Sequence, residues 1–142
     1  MRNNDTLEPK DLMINDVVYY DPNCFIEDEY FPVKDIKLSK IENGEDFLCA
    51  ENDCFYPVSL HKFSPEAYGF RKIYGFTGTF YRFDDDLTIK EYDNDSYVLS
   101  YAKRMLQVTL RVKYFHELQH ILRTIGYSDI ADNMYEKITE HK

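Results

Sequence analysis

No stretch of this 142-residue chain approaches the ~18 consecutive apolar residues of a membrane-spanning helix, which excludes a helical span. The opening residues, Met1-Arg2-Asn3-Asn4-Asp5, lack the apolar run of a secretory leader, and none is expected. Cysteine is scarce. Cys24, Cys49 and Cys54 are odd in number and form no Cys-x-x-Cys, which predicts reduced thiols and a cytoplasmic setting. Tryptophan is absent; 13 Tyr and 10 Phe carry the aromatic content, suited to half-buried sheet positions and contact surfaces. G-x-x-x-x-G-K, G-x-G-x-x-G and G-x-S-x-G are all missing, which removes the phosphate cradles and the serine elbow. Basic residues are outnumbered, 17 Lys+Arg against 26 Asp+Glu. Direct nucleic-acid binding is not expected, because Lys and Arg must replace the condensed counterions.

What charge there is lies unevenly. Residues 1–60 hold 14 acids against 5 bases, while residues 61–142 hold 12 of each. The cluster Lys103, Arg104, Arg111, Lys113 reads as the solvated side of a strand. Hydrophobic residues at 44% are ample for a core in a chain of this length.

Residues 1–10 are polar and predict a disordered tail. Val17 to Tyr20 reads as a strand stopped by Asp21-Pro22-Asn23. Phe31, Val33, Ile36, Leu38 and Ile41 outline one or two more strands. Asn43-Gly44 followed by Phe47-Leu48-Cys49-Ala50 predicts a hairpin. Together these suggest a small barrel-like β module over 11–57. Ser64-Pro65 opens a short helix closed by Gly69. Alternation from Phe70 to Val112, broken at Asp84-Asp85-Asp86 and Asp93-Asn94-Asp95-Ser96, predicts an antiparallel meander. Tyr114, Phe115, Leu118, Ile121, Leu122 and Ile125 then recur at helical spacing up to Gly126, and Ser128 caps a second helix with Ile130, Met134 and Ile138. The expected fold class is α+β: small antiparallel sheets packed with a C-terminal helix and a second short helix. Residues 58–142 pack with 11–57 as one unit, because the connection carries Pro57, Leu60, Phe63 and Pro65 in place of a flexible linker.

One chemical signature stands out, His116-Glu117-Leu118-Gln119-His120, an H-E-x-x-H. On a helix it sets two imidazoles on one face for Zn²⁺, with Glu117 placed as the catalytic base. Glu140, 20 residues after His120, stands at the spacing of the thermolysin-like metallopeptidases that this pattern resembles, and Glu136 is a second candidate ligand. Helical geometry argues otherwise. At 100° per residue His116 and His120 point away from the apolar stripe and towards solvent, and Lys113 precedes the pair. A polar helix face that spells the motif is the reading adopted, with no catalytic residue, no metal ligand and no cofactor. The alternative is a zinc site of His116, His120 and Glu140 with Glu117 as base. Asp84-Asp85-Asp86, Glu91, Asp93 and Asp95 lack the spacing of a calcium loop and read as acidic turns. Cys49 and Cys54 read as buried thiols.

The stretch from Val112 through Tyr114-Phe115-His116-Glu117-Leu118-Gln119 to Gly126 resembles the end of a group of small uncharacterised proteins of gut Bacteroidetes, their phages and mobile elements. Leu12 to Val18 and the phrase Pro57-Val58-Ser59-Leu60 through Gly69-Phe70 fit the same order, and Tyr-x-His-x-Leu-Gln is its specific part. The resemblance covers about residues 11–126 and implies an origin, not an activity. The expectation is a non-enzymatic protein-binding module of phage or mobile-element origin. Its acidic half would act on a basic or nucleic-acid-binding protein. The alternative is a small zinc metallopeptidase.

Overall fold

Strand β1 (Val17–Tyr20) is buried on both faces, and this organises the first half of the molecule. In the structure, a computed structural model that describes residues 6–21, 37–51, 54–76 and 78–140, β1 is the middle strand of three. It pairs antiparallel with β2 (Lys37–Lys40) and β3 (Phe55–Pro57), in registers that set Val17 opposite Lys40 and Tyr19 opposite Tyr56. Side chains alternate along a strand, so adjacent residues serve different cores. Val17 and Tyr19 join the main core, whereas Val18 and Tyr20 pack with Leu7, Leu12, Ile41, Ala50 and Phe55 in a smaller one.

Three expectations change here. Where a barrel-like module was expected, the described residues of the N-terminal half form a three-stranded antiparallel sheet. The expected hairpin at Asn43-Gly44 is a helix, α1 (Gly44–Ala50). Asn43 takes an extended conformation and its side chain accepts the Glu45 amide at 3.0 Å, while Asp46 Oδ2 reaches back to the Glu42 and Asn43 amides. Asn favours both turns and N-caps, and the acid three residues on makes it a capping box. Thirdly, residues 6–10 are tied down: the Leu7 amide donates to the Phe55 carbonyl at 2.8 Å, and Pro9–Asp11 form a 3₁₀ turn. Residues 1–5 and the strand positions expected at 31–36 lie outside the described residues.

The second sheet is the predicted meander, β4 (Arg71–Gly75), β5 (Gly78–Arg82), β6 (Leu87–Glu91), β7 (Tyr97–Lys103) and β8 (Leu106–Val112), with neighbours in sequence order. Its acidic turns are structural. Asp84 Oδ1 accepts the Asp86 and Leu87 amides, and Asp93 Oδ1 accepts the Asp95 amide and the Ser96 hydroxyl. Those bonds hold the Asp93 carboxyl below its ordinary pKa. Ser64 and Pro65 open a 3₁₀ turn (Pro65–Tyr68) as expected, and Gly69 closes it at φ 111°, a left-handed conformation that a side chain would strain.

Helix α2 (Phe115–Thr124) lays its stripe against this sheet: Phe115, Leu118 and Leu122 are fully buried beside Leu87, Ile89 and Leu99. The second helix divides at Asn133 into α3 (Ser128–Asp132) and α4 (Met134–Glu140), and Ile130, Met134 and Ile138 all reach the core. The architecture is α+β. No helix among the described residues is long and apolar enough to cross a membrane.

A candidate binding cleft beside the H-E-L-Q-H helix

Each polar residue of the motif has a place in the fold. Glu117 sits in the first turn of α2, where amides lack helical partners. Its Oε1 accepts the Lys113 and Tyr114 amides, both at 3.1 Å. Gln119, which sequence reasoning passed over, is fully buried. Its Oε1 accepts the Val17 amide at 2.7 Å, and its Nε2 donates to the carbonyls of Asn15 (2.7 Å) and Ala131 (2.8 Å). One side chain thus joins β1, α2 and α3.

His120 and Arg123 converge on Asp16, a fully buried carboxylate. His120 Nε2 lies 2.6 Å from Oδ2, which also accepts the Met13 amide at 2.8 Å; Arg123 Nη1 donates to Oδ1 at 2.8 Å. Arg123 also donates to Asp132 and to the Ile14 carbonyl. A buried carboxylate held by this many donors is fully compensated.

The expectation that both histidines face solvent is corrected. His116 is only 8% exposed, its ring stacked 5.9 Å from that of Tyr114 and edge-on, also at 5.9 Å, to that of His120. The rings of Tyr114 and His120 flank His116, and Asp16 meets His120. Burial lowers the His116 pKa most strongly, against the pull of Glu117, Asp16 and Asp11, so the ring is neutral at pH 7. Its Nδ1 has no hydrogen-bond partner among the described residues.

The zinc set does not assemble. Glu117 caps the helix and His120 Nε2 is already on Asp16. Glu136 is ion-paired with Lys40, which holds the Glu136 carboxyl below its ordinary pKa. Glu140 lines a separate hollow with Glu66 and Lys137. Among the described residues no three His, Cys, Asp or Glu are grouped to hold a metal ion. The thiol expectation is corrected too: Cys54 is disulfide-bonded, Cys49 is a free thiol, and Cys24 lies outside the described residues.

Between the N-terminal end of α2 and the strands β1 and β3 opens a cleft of about 830 Å³. Three half-buried tyrosines wall it: Tyr19 from β1, Tyr56 from β3 and Tyr114. His116 and His61 join the wall, the latter stacked at 4.7 Å on Tyr97, with its Nε2 unpartnered among the described residues. Among the described residues Asp11 and Glu117 bring two carboxylates to the lining, against the single ammonium of exposed Lys62. The cleft therefore combines aromatic faces with a net negative rim, which suits a cationic or amphipathic group.

The chain matches no family model, no curated protein and no solved structure.

Proposed function

We propose that this chain is a non-enzymatic protein-binding module that receives a basic side chain of its partner in the tyrosine-walled cleft. The cleft is the observation that carries the reading. A Lys or Arg entering between Tyr19, Tyr56 and Tyr114 would meet ring faces and two carboxylates, and cation–π contact strengthens where water is excluded. The polar groups of the H-E-L-Q-H helix support the non-enzymatic part, since Glu117, Gln119 and His120 each serve the fold. The acidic first 60 residues would draw in a basic partner, a nucleic-acid-binding protein among them. Phage or mobile-element origin belongs to the same proposal. Cytoplasmic residence does not follow readily, because a disulfide at Cys54 persists more easily in an oxidising compartment.

The test is titration of a Lys-rich peptide and its Gln-substituted counterpart, followed by tyrosine fluorescence, on the wild type and on the Asp11→Asn, Glu117→Gln pair. Gln keeps the capping bond, so the second substitution removes charge without uncapping the helix. The reading expects binding of the Lys peptide alone, weakened by salt and several-fold weaker in the variant. Equal binding of both peptides, or none at low salt, overturns it.

A further inference from the structure

Helix α2 packs on one face of the five-stranded sheet, and the strand registers show what the other face carries. Leu87, Ile89 and Leu99 turn towards the helix, so the residues alternating with them turn away. One outward row crosses all five strands as Arg71, Arg82, Thr88, Ser100 and Thr109. The next, two residues along each strand, is Ile73, Phe80, Lys90, Val98 and Arg111. Four of these ten positions are basic and none is acidic, in a chain of 26 acids and 17 bases. The whole-chain excess of acid that set nucleic acid aside is therefore not carried by these strands; 14 of the 26 acids lie in residues 1–60.

Two features of this face ask for an anionic partner with flat groups. Arg71 and Arg82 lie directly opposite each other, an arrangement that repels. Neither guanidinium is ion-paired among the described residues. Arg82 lies over the Phe80 ring at 5.6 Å, and its Nε is buried with no acceptor among the described residues. Planar guanidinium forks suit phosphate oxygens. Beside them a groove of about 630 Å³ runs over β5, β6 and β7, lined by Phe80, Val98, Tyr92 and the hydroxyl residues Thr88 and Ser100. Arg111 lies over the Tyr92 ring at 4.9 Å. Glu91 also lines the groove, but it alternates with the outward rows, and its carboxylate lies 3.9 Å from His61 Nδ1. The groove shares no lining residue with the tyrosine-walled cleft.

We propose that this face binds single-stranded nucleic acid, a base entering the groove against Phe80 and Tyr92 while its phosphate meets Arg71 and Arg82. Rings, hydroxyls and cations interleaved on an open sheet are the elements that hold unpaired bases and their backbone. The Thr88 and Ser100 hydroxyls, able to donate and accept, meet the polar edge of a base. An acidic peptide would answer the same charge. The groove, however, lies over the middle of the sheet, where β5, β6 and β7 are each paired on both sides. A peptide there finds no strand edge to pair with, whereas a base brings its own flat faces.

The experiment is fluorescence anisotropy of a labelled oligothymidylate with the full chain. The same strand in a duplex with oligoadenylate, and an oligoglutamate peptide of equal charge, are the competitors. The single strand should bind at low salt, at least about tenfold more tightly than either, because only it offers unstacked bases. Arg71→Gln should lessen the slope of log affinity against log salt by about 0.7, the value of one phosphate contact on a single strand. Phe80→Leu should weaken binding several-fold with that slope unchanged, since it removes a ring and no charge. Tyr92 is 63% exposed, so Tyr92→Leu supplies the same test should Phe80→Leu fail to fold. No binding at low salt overturns the proposal, as does a duplex or an oligoglutamate that binds as tightly as the single strand. Binding that neither Arg71→Gln nor the ring variants weaken also overturns it, by placing the nucleic acid elsewhere on the chain.

Discussion

Replacing Gln119 with Leu tests whether the H-E-L-Q-H helix is a clamp. The two side chains are similar in volume, so the change removes hydrogen bonds with little packing loss. It strands the Val17 amide and the carbonyls of Asn15 and Ala131, which Gln119 now bonds at 2.7 to 2.8 Å. Each buried group left without a partner costs about 1–3 kcal/mol, and Leu regains a part through its greater hydrophobicity, which sets the net loss at about 3–6 kcal/mol. A domain of this size is stable by roughly 5–15 kcal/mol, so the variant should unfold at much lower urea concentration or fail to fold. Gln119→Glu keeps the acceptor for Val17 but, when ionised, loses both donors and sets a buried charge against the two carbonyls, so at neutral pH it should be at least as destabilising. The assay is urea denaturation followed by far-ultraviolet circular dichroism, with the slope checked to be unchanged. A Gln119→Leu loss below about 1.5 kcal/mol would refute the clamp, since that is the cost of a single stranded group.

Leu118→Ala, in the fully buried stripe, should cost ~2–5 kcal/mol in the same assay, as expected for a cavity beside the second sheet. Burial holds the His116 pKa below the ordinary 6.5, so as pH falls through that value the unfolded chain takes up a proton that the folded chain refuses. Stability should therefore decline below about pH 6.5 and be flat above it, and His116→Gln should remove the decline in melts between roughly pH 7.5 and 5.5. Glu136, whose pKa is lowered by Lys40, loses its contribution only as pH falls through the carboxylate range, outside this window. Elemental analysis of protein purified without chelator should give less than about 0.1 zinc per chain; one zinc per chain would restore the metallopeptidase reading. Thiol titration in denaturant should find Cys49 reactive before reduction and Cys54 reactive only afterwards.

The meander and the helices were legible because their patterns are long. Period-2 alternation over the later strands and the stripe Phe115, Leu118, Leu122 each repeat often enough to exclude other periods. Asn43-Gly44 misled because Asn and Gly serve both tight turns and helix N-termini, and the arbiter, Asp46, acts through a side-chain bond that a dipeptide rule does not weigh. The burial of His116 was not legible, since a wheel gives the direction of a side chain but not what lies there. Here the rings of Tyr114 and His120 lie against it, and Asp16, 104 residues before His120, holds the latter. Gln119 and Arg123, four apart on one helix face, were a usable signal: two long hydrogen-bonding side chains beside an apolar stripe need partners. Gln119 was in view throughout, but as a letter of a zinc motif. The cleft was invisible for a different reason. Tyr19, Tyr56 and Tyr114 come from three elements and share no local pattern.

The partners of α2 also set the order in which the molecule can assemble. Gln119 meets Val17 across 102 residues and Asn15 across 104, and Arg123 meets Asp16 across 107. Loops of that length close slowly, and none can close while the last quarter of the chain is still being synthesised. Until then the Val17 amide has no acceptor and the Asp16 carboxylate has neither His120 nor Arg123. The second sheet pairs only neighbours in sequence, and can form as its strands emerge. The bonds that tie the first sheet to α2 are therefore late ones, although β1 pairs with β2 and β3 within residues 17–57.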